Sequence, residues 1–384
     1  MSSPASPFIL FRDDHAGREA VFERPSSIIL AEDERSFEPA WQAAEAARAA
    51  GKWLAGYFSY EAGYLLEPKL APLLPEGRPA PLICLGAFDA PSDRAPTRQP
   101  QPATNGPIYD ARAAWSFADY GGRFSRLHRH LRQGDCYQGN LTFPVRARWS
   151  GDPLAAFDAL PGRQPVRYGA LAALGGTVVL SRSPELFFKV DAEGWIETHP
   201  MKGTAPRGAT GAEDERLKEF LRNDEKNQAE NRMIVDLLRN DISLISEVGS
   251  LDVPELFRIE TYPTVHQMVS RVRAKLLPGL AMRRIFAALF PCGSITGAPK
   301  IRAMEILREL EGAPRDVYCG AIGWIAPDGT MRFSVAIRTV SLFPDGEAVY
   351  NVGGGVVFDS TAEEEYRECL LKARFATDMA PAST

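Results

Sequence analysis

Apolar positions along the chain switch between two periods. Residues 26–31 (SSIILA) form a short apolar run that predicts a buried strand, and residues 38–51, alanine-rich and closed by glycine, predict a helix. Residues 53–60 (WLAGYFSY) are aromatic-rich and predict a strand whose rings belong to the core. Phe124, Leu127 and Leu131 share one face of a helix over 120–133, followed by a turn and an edge strand in GDCYQGNLTFPVRARW. Strands are expected at 166–171 and 177–180. SRSPELFFKV and EGWIETHPMKGTAPRG then read as an antiparallel pair turning at 191–194. Met233, Ile234, Leu237 and Leu238 form the apolar face of a helix over 227–240. Residues 318–325 and 331–340 alternate as two paired strands around Pro327-Asp328-Gly329. A glycine-bearing strand at 348–358 and a helix at 363–375 end the pattern.

The chain has 384 residues, 45% of them hydrophobic, enough for a sizeable core. Its net charge is −5, with acids and bases interspersed, and it has no basic stripe of the kind a nucleic-acid binder needs. The N-terminus lacks the charged and apolar blocks of a signal peptide, and no apolar run approaches a membrane span of about 20 residues. Five scattered cysteines without a CxxC pair fit reduced thiols in a cytoplasm and argue against zinc. Residues 90–107, rich in proline and polar side chains, read as a surface linker.

The candidate chemistry lies in the second half. In residues 290–310 (FPCGSITGAPKIRAMEILREL), Gly293 and Gly297 allow a tight loop and Pro299 suits a helix start. Ile301, Met304, Leu307 and Leu310 share one side of that helix. The loop's amides and the hydroxyls of Ser294 and Thr296 would then face a site that attracts anions. Spacing alone fits a tight turn before a core helix as well, and the order of a Walker loop is absent. Glu185 and Lys202 follow opposite ends of the predicted hairpin and could converge, although a turn cap and a solvated lysine fit the same positions. Glu230 lies one turn before an apolar helical face, where a lone carboxylate is costly. Asp236 and Asp241 are expected to face outward or to cap. Arg338, among apolar residues, calls for a carboxylate partner. Gly353 to Gly355 signal close approach within a strand. Glu365, Glu368 and Lys372 share a helical face that also fits a solvated charged surface.

GSITGAPKIRAMEIL resembles the signature of the chorismate-utilising enzymes: anthranilate, aminodeoxychorismate, isochorismate and salicylate synthases. Further similarity runs over about 181–373 and, more weakly, back to Trp53. The resemblance implies an α+β fold: a large two-sheet antiparallel sandwich flanked by helices. It would be shared by an N-terminal region (1–89) and a chorismate-binding region (108–377) on either side of the linker. It implies that Glu230, Glu365 and Glu368 bind Mg²⁺, which the ring carboxylate of chorismate completes. Arg338, Tyr318 and the amides near Gly353 and Gly355 would hold the enolpyruvyl carboxylate, with Thr204, Thr296 and Lys372 also binding substrate. PMKGT at 200–204 resembles the PIKGT of aminodeoxychorismate synthases (component I) rather than the PIAGT of anthranilate synthases. The resemblance thus implies that Lys202 attacks C2 of chorismate while Glu185, as general acid, protonates the departing C4 hydroxyl. Ammonia then displaces the lysine through C4, giving 4-amino-4-deoxychorismate for para-aminobenzoate and folate. A nucleophilic lysine must be neutral, which from an ordinary amine costs about 4.6 kcal/mol at pH 7. The chain carries no recognisable glutaminase, so ammonia would come from solution or from a glutamine amidotransferase subunit. An anthranilate, isochorismate or salicylate synthase and a non-catalytic relative that binds the amidotransferase are the competing readings. Gln267 stands where some anthranilate synthases have a catalytic histidine, and the neighbouring His266 also fits a structural role.

Overall fold

A computed structural model describes residues 6–92, 107–160, 165–263 and 265–377, and most of the proline-rich 90–107 stretch lies outside them. Two antiparallel sheets organise these residues. In the first, the strands run in space as Gly297–Ala298, Gln138–Trp149, Glu347–Val356, Thr339–Leu342, Val178–Ser183, Tyr168–Ala173, Phe8–Asp13 and Arg18–Glu23. In the second they run as Met201–Pro206, Val265–Lys275, Trp195–Thr198, Leu186–Val190, Met331–Val335, Ala321–Ile325, Trp53–Phe58, Ile83–Phe88 and Ser27–Ala31. Strands Ile108–Ala113 and Asp252–Thr261 add to Gln138–Trp149 and Val265–Lys275.

Strands from both ends of the chain interleave. Phe8 pairs with Ala173, and Phe58 with Ala321. One buried cluster takes Ile9, Phe22, Ala170 and Val179 from the first sheet and Ala55, Tyr57 and Ile322 from the second, so it fills the space between them. The outer face of the second sheet is covered by helices Glu34–Ala49 and Met282–Leu289, where Trp41 stacks on Phe58 at 5.1 Å and Phe286 lies 4.2 Å from the same ring. Tyr57, Phe58 and Tyr60 are buried core, as expected for this aromatic-rich strand, and Trp53 is half-buried. Helices Phe117–Gln133, Lys300–Glu311 and Ala362–Ala373 cover the first sheet. Local signals start these helices. Asp33 and Ser36 form a capping box, as do Ser116 and Asp119, and Thr361 caps Ala362–Ala373.

Three local expectations need correction. The 331–340 run is two strands, not one. Met331–Val335 belongs to the second sheet and Thr339–Leu342 to the first, and the chain crosses between them through Arg338, whose φ is +50°. Apolar residues fall at odd positions up to Ile337 and at even positions from Val340, so the phase of the alternation flips at Arg338-Thr339, where the chain changes sheet. The preceding strand begins at Ala321, three residues late, because Asp316 and Cys319 adopt positive φ and put Tyr318 in a turn. Asp241 neither caps nor faces solvent. It is buried and holds Lys300 Nζ at 2.6 Å, joining helix Glu225–Ser243 to the start of helix Lys300–Glu311.

Candidate active site

The chain passes between the sheets twice near one place. It leaves Val178–Ser183 and enters Leu186–Val190 through Glu185, and it returns through Arg338. The two crossings touch where the Arg182 amide donates to the Arg338 carbonyl at 2.9 Å. A residue at a crossing has left the ladder, so its side chain is free of the pleat's alternation. Glu185 is buried, and its Oε1 accepts the Ser294 hydroxyl at 2.7 Å. Burial pushes its carboxyl up to about 7, opposed by that hydrogen bond and by the charge of Lys202. Burial also lowers the Arg338 guanidinium to about 10.

Lys202 lies on the edge strand Met201–Pro206. Across from it runs the glycine-bearing strand Glu347–Val356 of the other sheet. A Cβ at Gly355 would lie 2.8 Å from Nε2 of Gln138 and 3.2 Å from Nζ of Lys202, so a side chain there would press on both groups. A Cβ at Gly354 would sit 2.6 Å from Oε2 of Glu365. The glycine strand therefore separates the lysine from the acidic helix by one backbone. Gly353 has a different reason to be glycine. A Cβ there would strike the Leu141 carbonyl at 2.6 Å, while its own carbonyl accepts Lys372 Nζ at 3.0 Å.

Glu365 and Glu368 project from helix Ala362–Ala373, and Glu230 from helix Glu225–Ser243. Burial raises the Glu365 carboxyl, and the charges of Glu368 and Glu230 add to the rise although Ser360 donates to it at 2.7 Å. Burial acts on Glu368 too, but Lys372, at 2.6 Å, together with Lys202 and Lys226 holds it below its ordinary value. Oxygen donors that repel one another suit a hard divalent cation. Their side chains are in electrostatic range without being gathered. Among the described residues, no three His, Cys, Asp or Glu side chains converge as a finished metal site.

The remaining expected residues fall in varied places. Thr296 is buried, and its hydroxyl donates to the carbonyls of Cys292 and Gly293 at 3.1 and 3.2 Å, bracing the loop. Ser294 turns to Glu185. The loop is thus a buried wedge rather than an open anion cradle, and Gly297–Ala298 pairs with Gln138 and Gly139. Thr204 is exposed and donates to Gln267 at 2.9 Å. The Tyr318 phenol is raised first by burial and then by Cys319, and it also feels Arg315 and Cys369. His266 is fully buried between Thr261 and Asp214, at 3.0 and 2.9 Å, a structural setting.

Sequence reasoning missed Gln138. It is wholly buried, both polar atoms of its amide lack a protein partner, and it stands beside the Lys202 amine. A buried amide of that kind is a ready ligand group. Its only signal was the YQGN run, and Gln138 opens strand Gln138–Trp149, which the sequence suggests as an edge but which is paired on both sides, with Glu347–Val356 on one and Gly297–Ala298 and Ile108–Ala113 on the other.

A family model described as "chorismate binding enzyme" matches residues 6–378. The chain is 41% identical over 294 residues to aminodeoxychorismate synthase component 1 of Klebsiella aerogenes, covering 76% of this chain and 65% of that one. It is 42% identical over 259 residues to an anthranilate synthase component 1 of Haloarcula marismortui, covering 67% and 52%. The chain spans between 37% and 65% of the first curated relatives it matches. Among solved structures, anthranilate synthase component I of Streptococcus pneumoniae superposes with a TM-score of 0.77 at 25% identity, over 98% of this chain and 93% of that one.

Proposed function

We propose that this chain, which belongs to the chorismate binding enzyme family, forms 4-amino-4-deoxychorismate from chorismate and ammonia with Lys202 as covalent nucleophile. Relatives named aminodeoxychorismate synthase component 1, 41% and 42% identical over 294 and 285 residues, favour this reading over anthranilate synthase, whose relatives match at 42% over 259 residues. The observation that carries the choice is a lysine amine packed against Gly355 within electrostatic reach of Glu185. Anthranilate synthases resemble this chain with alanine at that position.

Glu185, raised to about 7, holds its proton long enough to deliver it near neutrality. As the Lys202 nitrogen bonds to C2 and both ring double bonds shift round the ring, to C1=C6 and C4=C5, the C4 hydroxyl takes that proton and leaves as water. Ammonia then adds at C4, the double bonds return, and the amine of Lys202 is released. Arg338, charged and desolvated, binds a substrate carboxylate through its planar fork. The Gln138 amide borders the same space and offers both a donor and an acceptor.

Glu230, Glu365 and Glu368 would hold Mg²⁺, with rotation of Glu368 away from Lys372. The bound ion supplies a positive charge that anchors the ring carboxylate. In the cell the ammonia would come from a glutamine amidotransferase partner, as the component 1 naming of the relatives suggests. No helix of the described residues is long and apolar enough to cross a membrane, and we place the enzyme in the cytoplasm. The test is incubation with chorismate, ammonium and Mg²⁺ with product identification by mass. Anthranilate or unchanged chorismate would overturn this reading.

A further inference from the structure

The ladder between Met201–Pro206 and Val265–Lys275 slips at Lys202. Met201 pairs with Val269 and Thr204 with Gln267, so Lys202 and Gly203 together face the single residue Met268. This is a β-bulge, a device that re-aims a side chain at the cost of ladder hydrogen bonds. Gly203 sits at φ +89°, a conformation that L side chains rarely adopt. The bulge is closed from two sides. From one side, Gln267 Nε2 donates to the Gly203 carbonyl at 2.8 Å while its Oε1 accepts the Thr204 hydroxyl at 2.9 Å. From the other, Asn227 fills the place of a Gly203 Cβ, its Oδ1 2.9 Å away, and is itself tied to Asp224 by its backbone and side-chain nitrogens at 2.9 and 2.8 Å.

We propose that Gln267 is a positioning residue whose carboxamide locks the Lys202–Gly203 bulge and so aims the Lys202 amine at the substrate. The role rests on Lys202 being the nucleophile. The carboxamide needs both its ends. The carbonyl that the bulge turns out of the ladder requires a donor, and the hydroxyl one residue on requires an acceptor. Without the brace the two residues of the bulge can relax toward a regular pairing, and a one-residue slip sends a side chain to the other face. Both ends of the Gln267 carboxamide are engaged by Thr204 and Gly203 in this arrangement.

The test uses Gln267→Leu and Gln267→Glu, with chorismate consumption followed in ammonium and Mg²⁺ whatever the product. Gln267→Leu should lower kcat at least tenfold with the KM for chorismate within threefold and an unchanged melting temperature. Gln267→Glu is the sharper variant. Its protonated acid can still donate to the Gly203 carbonyl and accept from Thr204, but its carboxylate cannot donate. The ratio of variant to wild-type kcat should therefore be highest at low pH and fall as the acid ionises. A flat ratio, or a leucine variant within twofold of wild type, overturns the proposal. Labelling of Lys202 by an amine-reactive reagent, mapped on peptides, makes the same comparison without turnover. A wild type that yields another product thus defeats the functional reading, while equal labelling in all three proteins defeats the brace.

Discussion

Ser294 donates its hydroxyl hydrogen to Oε1 of Glu185 at 2.7 Å, joining the buried loop before helix Lys300–Glu311 to the carboxyl proposed as general acid. The bond favours the charged carboxylate, while burial favours the acid and wins, leaving the group at about 7. A folded value above the unfolded one means that the protonated form belongs to the folded protein. Its contribution to stability is present below the ordinary carboxyl range and is lost as pH rises through about 7. Activity that needs the acid should fall through the same window. Removing the hydrogen bond with Ser294→Ala should move the falling limb of the kcat profile to higher pH. Glu185→Gln should erase the limb and lower kcat by about 10²–10⁴, the usual worth of a general acid. A falling limb that survives Glu185→Gln assigns it to another group.

Lys202→Ala should reduce amination of chorismate by about three orders of magnitude with the fold intact, since it removes the proposed covalent nucleophile. Gly355→Ala offers an independent check. Its methyl would stand 3.2 Å from the amine and 2.8 Å from Gln138. We expect kcat to fall at least tenfold while the melting temperature holds. Intact mass under ammonia-free conditions should show an adduct of wild type that Lys202→Ala lacks.

Mg²⁺ should raise the melting temperature as well as support turnover. Glu365→Gln should weaken both effects together, because a neutral amide has little attraction for a hard cation. Burial and the neighbouring Glu368 and Glu230 raise the Glu365 carboxyl, so protons compete with the ion there. The Mg²⁺ concentration for half-maximal stabilisation should accordingly rise as pH falls. Identical titrations of wild type and Glu365→Gln would remove this carboxylate from the site.

Arg338→Lys should raise the KM for chorismate by about 10- to 100-fold, the worth of ~1.5–3 kcal/mol carried by a hydrogen bond to a charged group. The arginine adopts φ +50° at the crossing between the sheets, so the lysine variant inherits the same backbone and tests the fork alone. An unchanged KM in folded protein would give Arg338 a structural task.

Residue types and spacing showed which side chains share a face, while the roles proposed for them came from the family resemblance. Glu365, Glu368 and Lys372 do share a face, and the strand beside them needs its glycines. What escaped has one physical cause: period reports which side of an element is apolar but not where a ladder slips or changes sheet. The bulge at Lys202 inserts a residue without altering the hydrophobic pattern, and the break at Arg338 shows only as a one-residue change of phase between Ile337 and Val340. Gln138 escaped because a buried unpartnered amide looks like any polar residue until its surroundings are known. Asp241 was misread for the converse reason, since its partner Lys300 lies 59 positions away and local spacing cannot supply it.

The interleaving of the sheets bears on how the chain is made. Strand Trp53–Phe58 has an aromatic face and one edge that is covered only by Ala321–Ile325, far along the chain. Phe8–Asp13 likewise waits for Tyr168–Ala173. Non-local pairing of this kind slows folding and leaves sticky edges open in the meantime. A cut within 90–107 should therefore yield two pieces that stay soluble only when they are produced together.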